Sequence, residues 1–234
     1  QRSWIKFRIN KSINFNKKKL LLRDDATEYN LRTSGFENYR ILHFATHGIV
    51  TGEFNGLRLP SLALSVESTS NSSSTDGLLN SNEISNLEIN SDIAILSACQ
   101  TLSDYGAGET GFSGLVSAFM ASGVDSVLAT MWKIESSSAS IIAADFVQNS
   151  SSSGDYSGSL HKTYKKYIHS QKHASPFYWA PFVLVEQLKA EVYSKTNDIH
   201  SKVIVNNSKN PIDMASPTID KNEVWTILFE DRGD

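Results

Sequence analysis

Two stretches decide the fold: ILHFATHG at Ile41–Gly48 and IAILSACQ at Ile93–Gln100. Each is a short apolar run without strict alternation, the pattern of a strand covered on both faces in a parallel sheet. Each also breaks into a residue able to do chemistry, His47 followed by Gly48 in the first and Cys99, the single cysteine of the chain, in the second. Val124–Met131 (VDSVLATM) repeats the apolar run and Trp179–Val185 (WAPFVLV) gives a fourth. Pro181 lies inside that last run and cannot donate to a ladder, so its start is expected at an edge or a bulge. Leu20–Leu22 is a further short strand.

Helical patterns lie between the strands. Phe112–Ser122 carries Phe112, Leu115, Val116 and Phe119 on one stripe and stops at Gly123, a C-terminal cap. Ser136–Gln148 carries Ile141, Ile142, Phe146 and Val147, and Leu160, Tyr164, Tyr167 and Ile168 mark another amphipathic helix. Asp25–Thr33 reads as a short helix. Strands alternating with helices imply right-handed crossovers and an α/β fold, a three-layer sandwich with a mostly parallel central sheet.

The 234 residues, 40% of them hydrophobic, suffice for one large core. A formal net charge of -3, from 22 basic and 25 acidic residues, gives no electrostatic reason to expect nucleic acid or an anionic membrane as partner. Lys17–Lys19 beside Leu20–Leu22 reads as a solvated strand end. One cysteine cannot form an intramolecular disulfide, which favours a reducing, cytoplasmic setting. No apolar run approaches the ~20 residues that span a bilayer. The start at Gln1 rather than Met reads as a piece of a longer protein or as a processed or trimmed form. Ser65–Asp76 is a serine-rich polar surface loop.

In open α/β sheets ligands bind beyond the carboxyl ends of the strands, where His47 and Cys99 both fall. An imidazole near a thiol takes its proton or stabilises the thiolate that attacks a carbonyl. Gly48, without a Cβ, lets a substrate carbonyl approach its backbone N–H, which together with that of Cys99 forms an oxyanion hole. His43 reads as a packed strand histidine, while Asp104, Glu109 and Asp125 are candidates to orient the imidazole or line the cleft. His161, His169 and His173 have no cysteine or carboxylate at ligand spacing, so no metal is expected. Ser113 misses the serine-hydrolase elbow by one position, and Gly106 and Gly108 are too few for a phosphate loop. No cofactor is expected.

HFATHG, DGLLNSNEI, LSACQT, GLVSAFMASGVDSVLATMW and YWAPFVLV, in that order from about Asp24 to Val185, resemble the successive blocks of CHAT domains, caspase-like relatives of separases, clostripain and gingipains. The resemblance implies a caspase-hemoglobinase fold and a Cys-His dyad, with His47 as the family histidine, Cys99 as the nucleophile and Gly48 as the oxyanion-hole glycine. It divides the chain into an N-terminal segment (1–23), the CHAT domain (24–188) and a C-terminal extension (189–234) in which Val224–Phe229 can add a strand. Ser97, Trp132 and Glu135 fall where such enzymes bind substrate. Ser97 stands where caspases place a glutamine, so aspartate-directed specificity is not implied, and Glu135 alone points to a basic one.

Two functions are compatible with these residues. One is a cysteine endopeptidase acting on a protein or peptide substrate in a defence or cell-death pathway. Its activator would be a regulatory protein or a fused sensor such as tetratricopeptide repeats, because the segment Thr101–Thr110 is short for activation by cleavage. The other is a catalytically silent scaffold that only binds partner proteins. Thiol reactivity of Cys99 separates them.

Overall fold

In a computed structural model of the chain, the structure describes residues 17–36, 39–51, 57–66, 76–97, 111–132, 134–151, 153–187 and 223–228. In chain order the strands are β1 (Lys17–Leu22), β2 (Ile41–Ala45), β3 (Gly48–Ile49), β4 (Ser61–Ala63), β5 (Leu78–Asn80), β6 (Ile93–Leu96), β7 (Ser126–Thr130), β8 (Phe182–Glu186) and β9 (Glu223–Leu228). The α-helices are α1 (Glu28–Arg32), α2 (Ser81–Ser85), α3 (Gly111–Ala121), α4 (Ser136–Ser150), α5 (Tyr156–Ile168) and α6 (Pro176–Trp179).

Six strands form the central sheet in the order β1-β9-β2-β6-β7-β8. All neighbours are parallel except β8, which runs antiparallel to β7 at the edge. The edge position is the one Pro181 implies. The proline precedes β8, its carbonyl accepts from the Met131 N–H at 2.8 Å, and Trp179 and Ala180 fall in and after α6 rather than in the strand.

Both faces of the sheet are apolar, which explains why its strands do not alternate in polarity. Leu42, Phe44, Ala94, Leu96, Val127 and Ala129 point to one side, where Leu31 of α1, Ile84 of α2 and Leu115, Val116 and Phe119 of α3 cover them. Phe44 and Phe119 meet at 5.2 Å between ring centroids. Ile41, Ile93, Ile95, Leu128 and Phe182 point to the other side, under Ile142, Phe146 and Val147 of α4 and Leu160 and Tyr167 of α5. Truncating such a fully buried phenylalanine to alanine typically costs ~3–5 kcal/mol, so the two clusters rather than surface pairs hold the layers together. Ile141 and Ile168, assigned to apolar stripes by spacing, are exposed instead, because each lies on the flank of its helix turned from the sheet.

Local signals set the helix ends. Asp155 accepts from the Gly158 N–H at 2.7 Å to start α5, and Ser175 caps α6 with Pro176 at its first turn. Asn80 and Glu83 form a reciprocal capping box at α2. Gly123 ends α3 with φ +106°, and a Cβ there would lie 2.1 Å from the Ile89 carbonyl oxygen. Only glycine fits that close approach.

Two features were not expected from sequence. A second, antiparallel sheet of β3, β4 and β5 packs beside the main one. The C-terminal strand β9 is placed between β1 and β2 with parallel registers to both, so the extension joins the sheet rather than trailing from it.

Candidate active site

β2, β6 and β7 are consecutive parallel neighbours, so the residues that follow them emerge along one edge of the sheet. His47 and Gly48 follow β2, Ser97 follows β6, and Trp132 follows β7. This edge gathers four of the sequence-derived candidates, and Glu135, at the start of α4, lies three residues beyond Trp132. Cys99, Asp104 and Glu109 lie outside the described residues.

The small sheet holds the histidine segment. The hydroxyl of Thr46, buried at 7% exposure, donates to the Ala63 carbonyl, and the Ala63 N–H donates back to the His47 carbonyl at 2.8 Å. The Thr46 side chain and the His47 carbonyl are therefore both tied to Ala63 of β4, while the imidazole of His47 is on an exposed residue. Gly48 stands opposite Leu62. Because the ladder bond runs from Ala63 to His47, one residue away from that pair, Gly48–Leu62 is a non-hydrogen-bonded pair and the Gly48 N–H points away from β4. Two residues beyond β4, the Ser65 N–H donates to the carbonyl of Ala26, ahead of α1, at 2.9 Å.

Ser97 ends the last rung between β6 and β2. Its N–H donates to the Phe44 carbonyl at 3.2 Å, and its Oγ shares a 2.7 Å hydrogen bond with Nε2 of His43. His43 is 2% exposed on the face that also carries Ile41 and Ile95. Burial disfavours its charged form and lowers its pKa to about 4, so the ring is neutral near neutral pH. Sequence spacing identifies His43 as a packed strand residue; its bond to Ser97 depends on the β2–β6 register, which no local pattern encodes.

Beyond β7, the Trp132 indole N–H donates to the Phe177 carbonyl at 3.1 Å, and the half-buried ring packs against the core cluster under α4 and α5. Met131 and Phe177 are exposed beside it. Glu135 is exposed, accepts from the Ser138 hydroxyl at 3.2 Å, and has its carboxyl held below the usual range by hydrogen bonds from the Ser137 and Ser138 hydroxyls, so it is an anion at neutral pH.

Asp125 does not belong to this group. It precedes β7, at the opposite edge of the sheet, where its N–H donates to Ser91 and its carbonyl accepts from Gln187, and it cannot reach an imidazole beyond the end of β2. His173 packs edge-on against Tyr167 and Tyr178, at 5.9 and 5.3 Å. Among the described residues no three His, Cys, Asp or Glu side chains are grouped to hold a metal ion, and no helix is long and apolar enough to cross a membrane.

The parallel sheet flanked on both faces, with chemistry-bearing residues at its carboxyl edge, has the architecture of a caspase-like α/β sandwich. A family model for the CHAT domain matches residues 7–187, and the chain belongs to that family, which is related to the caspase-like cysteine peptidases. The matched segment takes in β1, upstream of the Asp24 block. No curated protein matches the chain.

Proposed function

We propose that the chain is a cysteine endopeptidase that cleaves a protein or peptide through His47 and Cys99, switched on by a bound regulatory protein or a fused sensor module in a defence or cell-death pathway. The observation that carries this reading is the fixed backbone at His47. The His47 carbonyl and the Thr46 hydroxyl both bond to Ala63 just beyond the end of β2, the immediate neighbour of β6, the strand that precedes the chain's only cysteine in sequence.

Cys99 Sγ forms a bond to the substrate carbonyl carbon while His47 takes the thiol proton. The Gly48 N–H, directed away from β4, receives the developing oxyanion; one such donor is worth ~100- to 1000-fold in turnover. The C–N bond then breaks as His47 passes its proton to the leaving amine. Water adds to the thioester, the S–C bond breaks, and the acid product leaves with the thiol restored. Ser97, Trp132 and Glu135 line the route to the scissile bond, and the Glu135 anion favours a basic side chain in the substrate.

The test is an unbiased peptide library incubated with the full chain and read by mass spectrometry, against C99A and H47A. Cleavage by the parent and none by either variant supports the proposal. Equal cleavage by C99A refutes it. No cleavage together with sluggish labelling by a peptide acyloxymethyl ketone assigns the chain to a silent scaffold instead.

A further inference from the structure

Glu28 opens α1 with its carboxyl group inside the fold, at 1% exposure. Its Oε1 accepts from the Gly77 N–H at 3.1 Å. Oε2 has no hydrogen-bond partner among the described residues and lies 3.6 Å from Nη2 of Arg32, which also reaches Glu83 at 3.3 Å. Burial raises this carboxyl above its ordinary pKa, so the surroundings resist its charge. A buried carboxyl with an unsatisfied oxygen calls for a reason, and the reason lies in what Gly77 holds. We infer that Glu28 is a positioning residue for His47: through its bond to Gly77 it fixes the small sheet that carries the histidine backbone. The inference rests on the dyad reading above.

Every bond on the path from Glu28 to His47 joins described residues. Gly77 donates its N–H to Glu28, and its carbonyl accepts from the Leu64 N–H at 2.7 Å. That N–H belongs to the same planar peptide as the Ala63 carbonyl, which accepts from the Thr46 hydroxyl. The Ala63 N–H in turn donates to the His47 carbonyl at 2.8 Å. A tilt of the Ala63–Leu64 peptide is therefore passed to both residues that place the imidazole. Gly77 itself does not hold the turn into β5, because at φ +82° it lies in a region that glycine enters and leaves without steric penalty. Leu62 and Leu79 are fully buried and seat the sheet on the core, but burial is non-directional. In strands of two and three residues few ladder bonds oppose a small displacement, whereas a hydrogen bond to a carboxyl fixed on α1 opposes it directly. Water does not compete for that bond, because the carboxyl is buried. A misplacement of about 1 Å at a reacting group costs on the order of 100-fold, which sets the scale of the effect.

Two measurements on the full chain at neutral pH test this. Amide exchange followed by NMR reads the small sheet directly, and the rate at which iodoacetamide labels the single cysteine reads the action of His47. The variants are E28A, E28D, E28Q, H47A and the E28A/H47A pair. E28A removes the acceptor from Gly77 and E28D draws it back while keeping the charge; E28Q keeps the acceptor and removes the charge. E28A and E28D are expected to speed exchange of the Ala63 N–H by roughly 10- to 100-fold. The Ser97 N–H, bonded to Phe44 in the large sheet, should change little. The same two variants are expected to slow labelling by up to ~100-fold, and E28A should add nothing once His47 is gone. E28Q is expected to match the parent in both measurements. A role confined to overall stability would speed exchange at Ala63 and Ser97 alike and leave labelling unchanged, which would overturn the inference. E28D carries the test if E28A does not fold. Exchange at Ala63 unmoved by E28D, or E28Q behaving as E28A does, overturns the inference alone while H47A still slows labelling. Labelling that H47A leaves unchanged overturns the dyad reading and the inference with it.

Discussion

Acid should loosen this protein through His43 before it denatures the rest of the fold. The imidazole has an ordinary pKa of 6.5 in the unfolded chain and about 4 when buried against Ile41, Ile95 and Ser97. Its folded-state value is depressed, so the stability associated with the neutral ring is fully present above pH 6.5 and is lost as the pH falls toward 4, because the unfolded state binds the proton first. Each unit of displacement is worth ~1.4 kcal/mol, which makes the complete loss about 3 kcal/mol and the loss by pH ~5 about 2 kcal/mol. Glu28 works in the opposite direction. Burial, with Glu83 and Asp76 nearby, raises its carboxyl above 4.5, so its contribution favours the folded state in acid. The informative quantity is therefore the difference between the parent and H43Q, in which Glu28 cancels. Urea unfolding followed by tryptophan fluorescence and far-UV circular dichroism, coincident if the transition is two-state, gives the midpoint at about pH 7.5 and 5. With a slope on the order of 2–3 kcal/mol/M, the parent midpoint should fall by roughly 0.7–1 M more than that of H43Q. Equal falls in the two proteins would mean that His43 titrates normally, and the account of its burial would be wrong.

Two further substitutions test the frame around the site. Gly123→Ala forces a Cβ to 2.1 Å from the Ile89 carbonyl oxygen at φ +106°, and should destabilise by at least ~2 kcal/mol, lowering the melting temperature by roughly 4–8 °C in calorimetry; an unchanged melting temperature would show that the turn relaxes freely. Thr46→Val keeps the shape but removes the donor to Ala63, so chemical denaturation should find a loss of about 1–3 kcal/mol that Thr46→Ser largely restores. A valine variant as stable as the parent would remove β4 from the support of His47.

The main layers were legible because their strands are buried on both sides: Ile41–Ala45, Ile93–Leu96 and Ser126–Thr130 read as continuous apolar runs, and the capped helices between them have period and ends of their own. β3 and β5, of two and three residues, are too short to display any period. α2 had a signal in its Asn80 to Glu83 spacing, a capping box that sequence reading passed over. The apolar run in the C-terminal extension indicated a strand, but its insertion between β1 and β2 is a pairing across most of the chain, selected by the sheet as a whole rather than by adjacent residues.

The same distinction separates the two halves of the candidate site. The placement of His47 and Gly48 just after β2 could be read because a strand end is a local property. What holds them is not local. Thr46 answers to Ala63 across the small sheet, and His43 to Ser97 across two strands of the large one. A histidine in the middle of an apolar strand is ordinarily no more than a tolerated core residue, and a serine after a strand no more than a turn. Only the parallel register, which sets Phe44 beside Leu96 and so brings Ser97 to the next position along, turns the two into a hydrogen-bonded pair. The buried histidine, kept neutral by its surroundings, therefore ties the end of β6 to β2 through a bond that neither segment announces on its own.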